Sequence, residues 1–406
     1  MNYSESIAYL YGLQKFGIKL GLHTIKRLLS SIGDPHKNFP SIHIAGTNGK
    51  GSTAAFLASV LTEAGYTTGL YTSPHLLSFN ERIKVGSRTI SKKDVVRLTT
   101  VLQKKSRGFA SITYFEMVTA MAFLYFAERN VDCAILEVGM GGRLDATNVI
   151  SPLLSIITTI SKEQEFYLGP TLGHIVQEKS GIIKSKRPVV TGVTQPALIK
   201  FLQEKCRSKH SRLYRLGKDF TLKSTPSHTY TYHGMTFNLK DITLGLQGDF
   251  QAANAALALA AIDILKSTSF SIDTKSILLG LNKVHWPGRL EVVMRKPLVI
   301  LDGAHNPDAM NNLLKSILKD FTFKKFFLVL GIMEDKNIKK MIGDIVKHAH
   351  QIILSQPRMD RAATTNNLAL ILEGFHLKNF KLISDVAKAT QFALTRARKD
   401  DLICVT

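Results

Sequence analysis

The stretch Ile42–Ser52, I-H-I-A-G-T-N-G-K-G-S, decides how the rest of the chain is read. Ser41–Ala45 is a short β-branched run of the kind that forms a buried strand. Gly46 to Gly51 breaks it, and Ser52–Ala64 continues as an apolar helical stretch closed by Gly65. Strand, glycine-rich turn and helix N-terminus in that order make a phosphate cradle. The glycines let backbone N–H groups point inward, and the helix dipole favours an anion. Lys50 adds a mobile positive charge, and Ser52 a hydroxyl for a phosphate or its Mg²⁺. The strict Walker spacing is not met, because Ile44 stands at its first glycine and Gly51 follows the lysine. A plain glycine turn with a surface lysine is the alternative, and the flanking strand and helix favour the phosphate loop.

A length of 406 residues suits two or three domains. The N-terminus lacks a basic segment followed by an apolar core, so no secretory leader is expected. No apolar run approaches ~18 residues, so no membrane span is expected. Cys133, Cys206 and Cys404 are odd in number and far apart, and Cys133 and Cys404 sit in apolar runs. Buried free thiols in a reducing cytoplasm follow. Fifty-three Lys+Arg against 31 Asp+Glu give +22. That excess is spread thinly, without interleaved aromatics or a zinc or helix-turn-helix pattern, so a nucleic-acid partner is not expected and a basic surface for anionic substrates is.

Residues 3–31 read as helical, with Leu10, Leu13, Phe16, Ile18, Leu20, Ile25, Leu28 and Leu29 apolar, and Gly33-Asp34-Pro35 ends the segment. Thr67–Thr72 reads as a second strand that runs into Ser73-Pro74-His75 and then Asn80-Glu81-Arg82. In open α/β sheets ligands gather at such strand ends. Helices are expected over Ser91–Leu102 and Phe115–Arg129. The buried strand Val131–Glu137 ends in a carboxylate and meets a second glycine-rich loop, Gly139–Asn148. An acid at a strand tip beside a phosphate loop is the position of a Mg²⁺ ligand. A strand at Leu154–Ile160 and a helix at Thr171–Lys184 follow. Thr229–Tyr232 and Met235–Leu239 alternate about His233-Gly234, a hairpin in a small antiparallel patch. Gln247–Leu265 is an Ala-rich helix holding Gln251 and Asn254. After an expected hinge at Lys283–Gly288, strands at Pro297–Leu301, Phe326–Gly331, Gln351–Leu354, Lys381–Ile383 and Leu402–Thr406 form a new series, with helices between the first four. Two parallel-sheet domains facing one cleft are expected.

The stretches GTNGKGS (46–52), TSPHL (72–76), NERI (80–83), GGRLDATN (141–148), EKSGIIK (178–184), WPGRLE (286–291) and DGAHNP (302–307) resemble, in order, those of the folylpolyglutamate synthase / dihydrofolate synthase family of the Mur ligase superfamily. The resemblance implies an α/β chain. Its residues 1–285 would form a P-loop-containing, Mur-ligase-like N-terminal domain with a small antiparallel β patch, and 286–406 a Rossmann-like α/β C-terminal domain. It implies that ATP's γ-phosphate passes to a carboxylate of dihydropteroate or a reduced folate, and that the amine of L-glutamate displaces it from the acyl phosphate. Gly46, Thr47, Asn48, Gly49, Lys50, Gly51, Ser52, Asn254, Arg289, Asp302 and His305 would contact ATP. Lys50, Lys179 and His305 would serve catalysis. Ser73, Glu137, Gln164 and Lys179 would hold Mg²⁺ at two sites, Mn²⁺ being an alternative ion, and Lys179 would be carbamylated. Ser73, Pro74, His75, Arg82 and Asp145 would contact the pterin-bearing substrate. From the residues alone, Glu178-Lys179 reads as a helix-surface pair.

Three departures accompany the resemblance. Glu163-Gln164 stands where the family reads Asp-His, replacing an imidazole by an amide oxygen at the second metal. Phe250 stands where a histidine usually precedes Gln251. The chain stops at Thr406, where relatives continue through a Gly-Ser turn and another strand. The expected protein is a cytoplasmic, monomeric ligase accepting both dihydropteroate and reduced folates, with no membrane partner. A Mur-type ligase of cell-wall precursors and a catalytically weakened nucleotide-binding homologue are the alternatives.

Overall fold

The computed structural model describes all residues except Ile18, Ala110, Glu163, Gln164, His228 and Lys378 and the side chain of Phe166. The chain divides into two compact units, Met1–Gly245 with Gln251–His285, and Leu246–Phe250 with Trp286–Thr406.

The first unit carries an eight-stranded sheet. Its strands are β1 (Ser41–Ala45), β2 (Thr68–Tyr71), β3 (Ile83–Val85), β4 (Arg88–Thr89), β5 (Cys133–Glu137), β6 (Leu154–Ile157), β7 (Val189–Thr191) and β8 (Leu213–Arg215). Their order is β4-β3-β2-β5-β1-β6-β7-β8. The six strands from β2 to β8 in that order run parallel, and β3 and β4 add antiparallel at the edge. All residues of β1, β2, β5 and β6 are buried, as expected of strands covered on both faces. A separate three-stranded antiparallel sheet joins β9 (Thr221–Ser224), β10 (Tyr230–His233) and β11 (Asn238–Ile242). It enlarges the expected hairpin by one strand.

The N-terminal segment is not one helix. Tyr3–Gly12 forms α1, a 3₁₀ turn follows to Phe16, and His23–Ser31 forms α2. Gly17 and Gly21, at φ +63° and +154°, take backbone conformations that end a helix, and Leu20 is exposed. Ile18 lies outside the described residues. After Lys50–Glu63 (α3) and Lys92–Lys105 (α4), Tyr114–Glu128 (α5) is almost wholly buried, with Met117, Val118, Met121, Phe123 and Phe126 in the core. β7, β8 and the helix Pro196–Ser208 had no counterpart in the sequence reading.

The second unit is a six-stranded sheet of β12 (Glu291–Arg295), β13 (Leu298–Leu301), β14 (Phe326–Leu330), β15 (Gln351–Leu354), β16 (Phe380–Leu382) and β17 (Leu402–Val405). Its order is β12-β13-β17-β14-β15-β16, parallel except for β12. β12 is an antiparallel edge strand in addition to the five strands expected, and the helix Val386–Arg396 adds a further crossover. All three cysteines are buried free thiols. Among the described residues no helix is long and apolar enough to cross a membrane.

Candidate active site

Gly46–Gly49 links the C-terminal end of β1 to α3, which begins at Lys50, two residues before the expected start. The loop is pinned by hydroxyls just beyond β6. Asn48 N–H donates to Thr159 Oγ1 at 3.0 Å, and Thr158 Oγ1 donates to Asn48 O at 2.7 Å. Thr47 Oγ1 and the Ser161 N–H meet at 3.1 Å. The two loop glycines are required sterically. A Cβ at Gly46 would lie 1.8 Å from Thr158 Oγ1, and one at Gly49 2.2 Å from Asn254 Oδ1. Both also have positive φ. Asn254 is held against the loop by Gln251, whose Oε1 accepts from its Nδ2 at 2.9 Å. Thr158, Thr159 and Ser161 escaped the sequence reading, although three hydroxyl residues directly after a buried strand mark a place where backbone groups need partners.

Three charged side chains converge at this loop. Lys50 Nζ lies 3.1 Å from the carbonyls of Gly46 and Thr47 and 3.9 Å from Glu137 Oε1. Glu137, at the end of β5, accepts from the Ser73 N–H at 3.2 Å. Ser73 and Glu137 therefore meet at the ends of adjacent strands β2 and β5. Lys179 is buried at 2% exposure, and its Nζ donates to Gly46 O at 2.8 Å. It is not a surface partner of Glu178, which pairs with Arg143 at 2.8 Å.

The helix expected over Thr171–Lys184 is helical from Leu172 to Lys179 and then a 3₁₀ turn. It interlocks with the second glycine loop. A Cβ at Gly142 would come 2.9 Å from the carbonyls of Glu178 and Lys179, and one at Gly181 2.4 Å from Arg143 Cα. Asn148 Nδ2 bridges the carbonyls of Arg143 and Gly181. Asp145 turns inward and accepts from the Met140 N–H at 2.9 Å and from Thr147 N–H and Oγ1. Burial raises its carboxyl, against the pull of those donors.

The loop after β2 is organised by Glu81, which accepts from the N–H groups of Leu76, Leu77 and Ser78. Arg82 Nε donates to His75 Nδ1 at 2.7 Å, and the guanidinium stands 5.4 Å from the Tyr114 ring centre. Burial, then the Arg82 charge, keep His75 below the ordinary imidazole range. Helix α1 is fastened to this loop by Tyr3 OH on Asn80 at 2.5 Å and Tyr11 OH on His75 Nε2 at 3.3 Å. Leu76 and Leu77 project outward, Leu77 at 95% exposure. Neither tyrosine was singled out from sequence, since an aromatic on an amphipathic helix carries no local mark of such a contact.

In the second unit, Asp302 accepts from the Leu290 N–H at 2.8 Å, and Arg289 Nη1 donates to Gly303 O at 3.4 Å. His305 Nδ1 lies 2.9 Å from the same carbonyl. Burial raises the Asp302 carboxyl, and Arg289 opposes it. The WPGRLE and DGAHNP stretches thus form one cluster.

Among the described residues no group of three or more His, Cys, Asp or Glu is placed to hold a metal ion. A Mg²⁺ ion bound chiefly through phosphate oxygens needs only one or two protein ligands. The carboxylate of Glu137 beside the phosphate loop fits that requirement. Gln164 lies outside the described residues.

Residues 44–262 match the Mur ligase middle domain and 288–406 the Mur ligase glutamate ligase domain. The chain is 34% identical over 416 residues to a dihydrofolate synthase/folylpolyglutamate synthase of Bacillus subtilis, covering all of this chain and 96% of that one. Escherichia coli FolC in complex with DHPP and ADP matches with a TM-score of 0.91 and 30% identity, over 100% of this chain and 94% of the other. A bifunctional folylpolyglutamate synthase/dihydrofolate synthase with Mn, AMPPNP and L-glutamate bound matches at 0.88 and 29%, over 100% and 94%. With both domain types in order and this identity across its whole length, the chain belongs to the folylpolyglutamate synthase/dihydrofolate synthase family of Mur ligases, ATP-dependent ligases of folate metabolism.

Proposed function

We propose that this ligase joins L-glutamate both to dihydropteroate and to reduced folates, acting in the cytoplasm as a monomer. The observation that carries the chemistry is the convergence of Lys50, Glu137 and Ser73 at the glycine loop. An acceptor carboxylate oxygen attacks the γ-phosphorus of ATP, the bond to the β-phosphate oxygen breaks, and ADP leaves. The glutamate amine, having lost a proton, attacks the acyl carbon, and inorganic phosphate departs with the acyl–oxygen bond. The balance is one amide, ADP, phosphate and one proton. Lys50 and the loop N–H groups hold the phosphates in line, which is most of what phosphoryl transfer asks of a protein.

Glu137 and Ser73 would hold Mg²⁺, which neutralises phosphate charge when bound. Carbamylated Lys179 would add an anionic oxygen beside Gly46, and a second ion would share it. Asn254, Arg289, Asp302 and His305 are assigned to ATP. The loop of Ser73, Pro74, His75 and Arg82, with Asp145, is assigned to the pterin-bearing acceptor. Residues 1–285 would then bind ATP and acceptor, and 286–406 form the C-terminal ligase domain. The buried free thiols accord with a reducing compartment.

The test is ADP release by the purified enzyme with L-glutamate over a panel of dihydropteroate, reduced folates and a uridine-nucleotide cell-wall precursor. Turnover with both pterin acceptors and none with the precursor is expected. Turnover with one pterin class alone would overturn the dual assignment. Glutamate-dependent turnover with the precursor would move the acceptor outside the pterins.

A further inference from the structure

His43 lies inside the decisive stretch yet has no part in phosphate binding. It sits in the middle of β1, fully buried, with its neighbours Ile42 and Ile44 also at 0% exposure. A histidine there gives up hydration that leucine or valine would not need. Burial, then the Lys184 charge, push its imidazole down to about 3, so the ring is neutral. A neutral ring has one donor and one acceptor, and its surroundings decide which is which.

Its Nε2 lies 2.8 Å from Thr147 Oγ1, and Thr147 Oγ1 lies 2.5 Å from Asp145 Oδ1. The Asp145 carboxylate also takes the Met140 and Thr147 N–H groups, and so acts as an acceptor. The Thr147 hydroxyl must therefore donate to Asp145, which leaves its oxygen lone pairs for His43. The proton sits on Nε2, and the buried Nδ1, with no hydrogen-bond partner, is the bare nitrogen. That choice leaves an acceptor without a partner instead of a buried N–H, the less costly of the two. The result is a one-way chain, His43 Nε2–H to Thr147 O–H to Asp145. It ties the strand that ends in the phosphate loop to the loop Gly139–Asn148, 104 residues away.

We infer that His43 is a positioning residue for the acceptor end of the site, acting through Thr147 to fix the Asp145 carboxylate and the loop that it braces. This rests on the assignment of Asp145 to the pterin-bearing acceptor. Removing the imidazole N–H leaves the Thr147 oxygen without its donor and frees the hydroxyl to turn from Asp145. The loss falls on the acceptor, because the glycine loop after β1 is pinned separately, by Thr159 Oγ1 on the Asn48 N–H and by Thr158 Oγ1 on the Asn48 carbonyl.

The experiment compares His43→Leu, which lacks the donor, with His43→Gln, whose amide N–H can stand in for Nε2–H. Thr147→Val is compared with Thr147→Ser. His43→Leu and Thr147→Val should each raise the acceptor KM about tenfold, with KM for ATP within twofold of wild type. His43→Gln and Thr147→Ser should recover most of that loss, and the double variant His43→Leu/Thr147→Val should be no worse than Thr147→Val alone. If His43→Leu does not fold, the Thr147 pair and a ¹⁵N-histidine spectrum of the wild-type enzyme still decide. That spectrum should show His43 protonated at Nε2 at neutral pH, and protonation at Nδ1 would overturn the chain. Equal losses toward ATP and acceptor, or additive effects of the two positions, would overturn it as well. Asp145→Asn separates the two levels. If it raises the acceptor KM while His43→Leu and Thr147→Val do not, the positioning role fails alone. If it leaves the acceptor KM unchanged, the assignment of Asp145 fails, and the inference with it.

Discussion

Lys179 Nζ donates to the Gly46 carbonyl at 2.8 Å, joining the helix after the second glycine loop to the first residue of the first glycine loop. On the proposed function this buried amine takes up CO₂ with release of a proton and becomes an anionic oxygen ligand for a cation, which is the first prediction. In the Mg²⁺-ATP complex, density should extend beyond Nζ, and activity should rise with added bicarbonate. A free amine in that complex together with bicarbonate-independent turnover would sink the proposal.

Lys50→Ala should leave the fold intact and cost roughly 10²–10³ in turnover, the usual loss when one preorganised charge contact is removed from a transition state. Circular dichroism and ADP release at saturating ATP check the two halves. Near-wild-type ligation would show that the loop lysine does not serve phosphoryl transfer.

Glu81 holds the loop after β2 through three backbone N–H groups. Burial alone would raise its carboxyl, but the N–H groups of Leu76, Ser78 and Leu77 outweigh it and hold it below the ordinary glutamate value. A carboxylate lowered by folding stabilises the loop above the unfolded value of ~4.3, and loses that contribution as pH falls through the folded value. Glu81→Gln should raise the acceptor KM severalfold near neutral pH while leaving ATP binding alone. Urea midpoints should show the wild-type advantage over the variant shrinking below about pH 4.

Lys184 donates to Asn148 O at 3.0 Å, yet burial, then the charges of Lys26 and Lys209, pull its amine down to about 8. Between about 8 and ~10.4 the unfolded chain keeps a proton there that the folded chain has released. Stability therefore rises with pH across that window. Wild type should gain stability relative to Lys184→Met between pH 8 and pH 10, read from urea midpoints. Parallel profiles for the two proteins would show that the site does not disfavour the charged amine.

Much of the architecture is legible locally. β1, β5, β6, β14 and β15 announce themselves because strands covered on both faces are built mainly from apolar residues, with few polar positions between them. β7 and β8 have three residues each, too few to show a period, and exist because neighbouring strands offer them partners. β12 is partly exposed, so no buried apolar run marks it, and its pairing with β13 is what makes it a strand. The break between α1 and α2 was written in Gly17 and Gly21, but glycine also occurs within helical stretches, so the pattern of leucines prevailed.

The glycine turn between β1 and α3 could be read directly, since glycines at positive φ between a strand and a helix are a local requirement of the backbone. What the sequence alone determined, then, is the chain's element types, its two glycine loops and the family of motifs that carry the chemistry. Tertiary structure alone decided which side chains meet. It buries Lys179 against Gly46 while giving its neighbour Glu178 to Arg143, and it threads His43 through Thr147 to Asp145. Adjacent residues on a helix point in different directions, and partners separated by more than a hundred positions come together only when the sheet assembles. No local propensity records such pairs, because the free energy that selects them is that of satisfying buried polar groups in the finished fold.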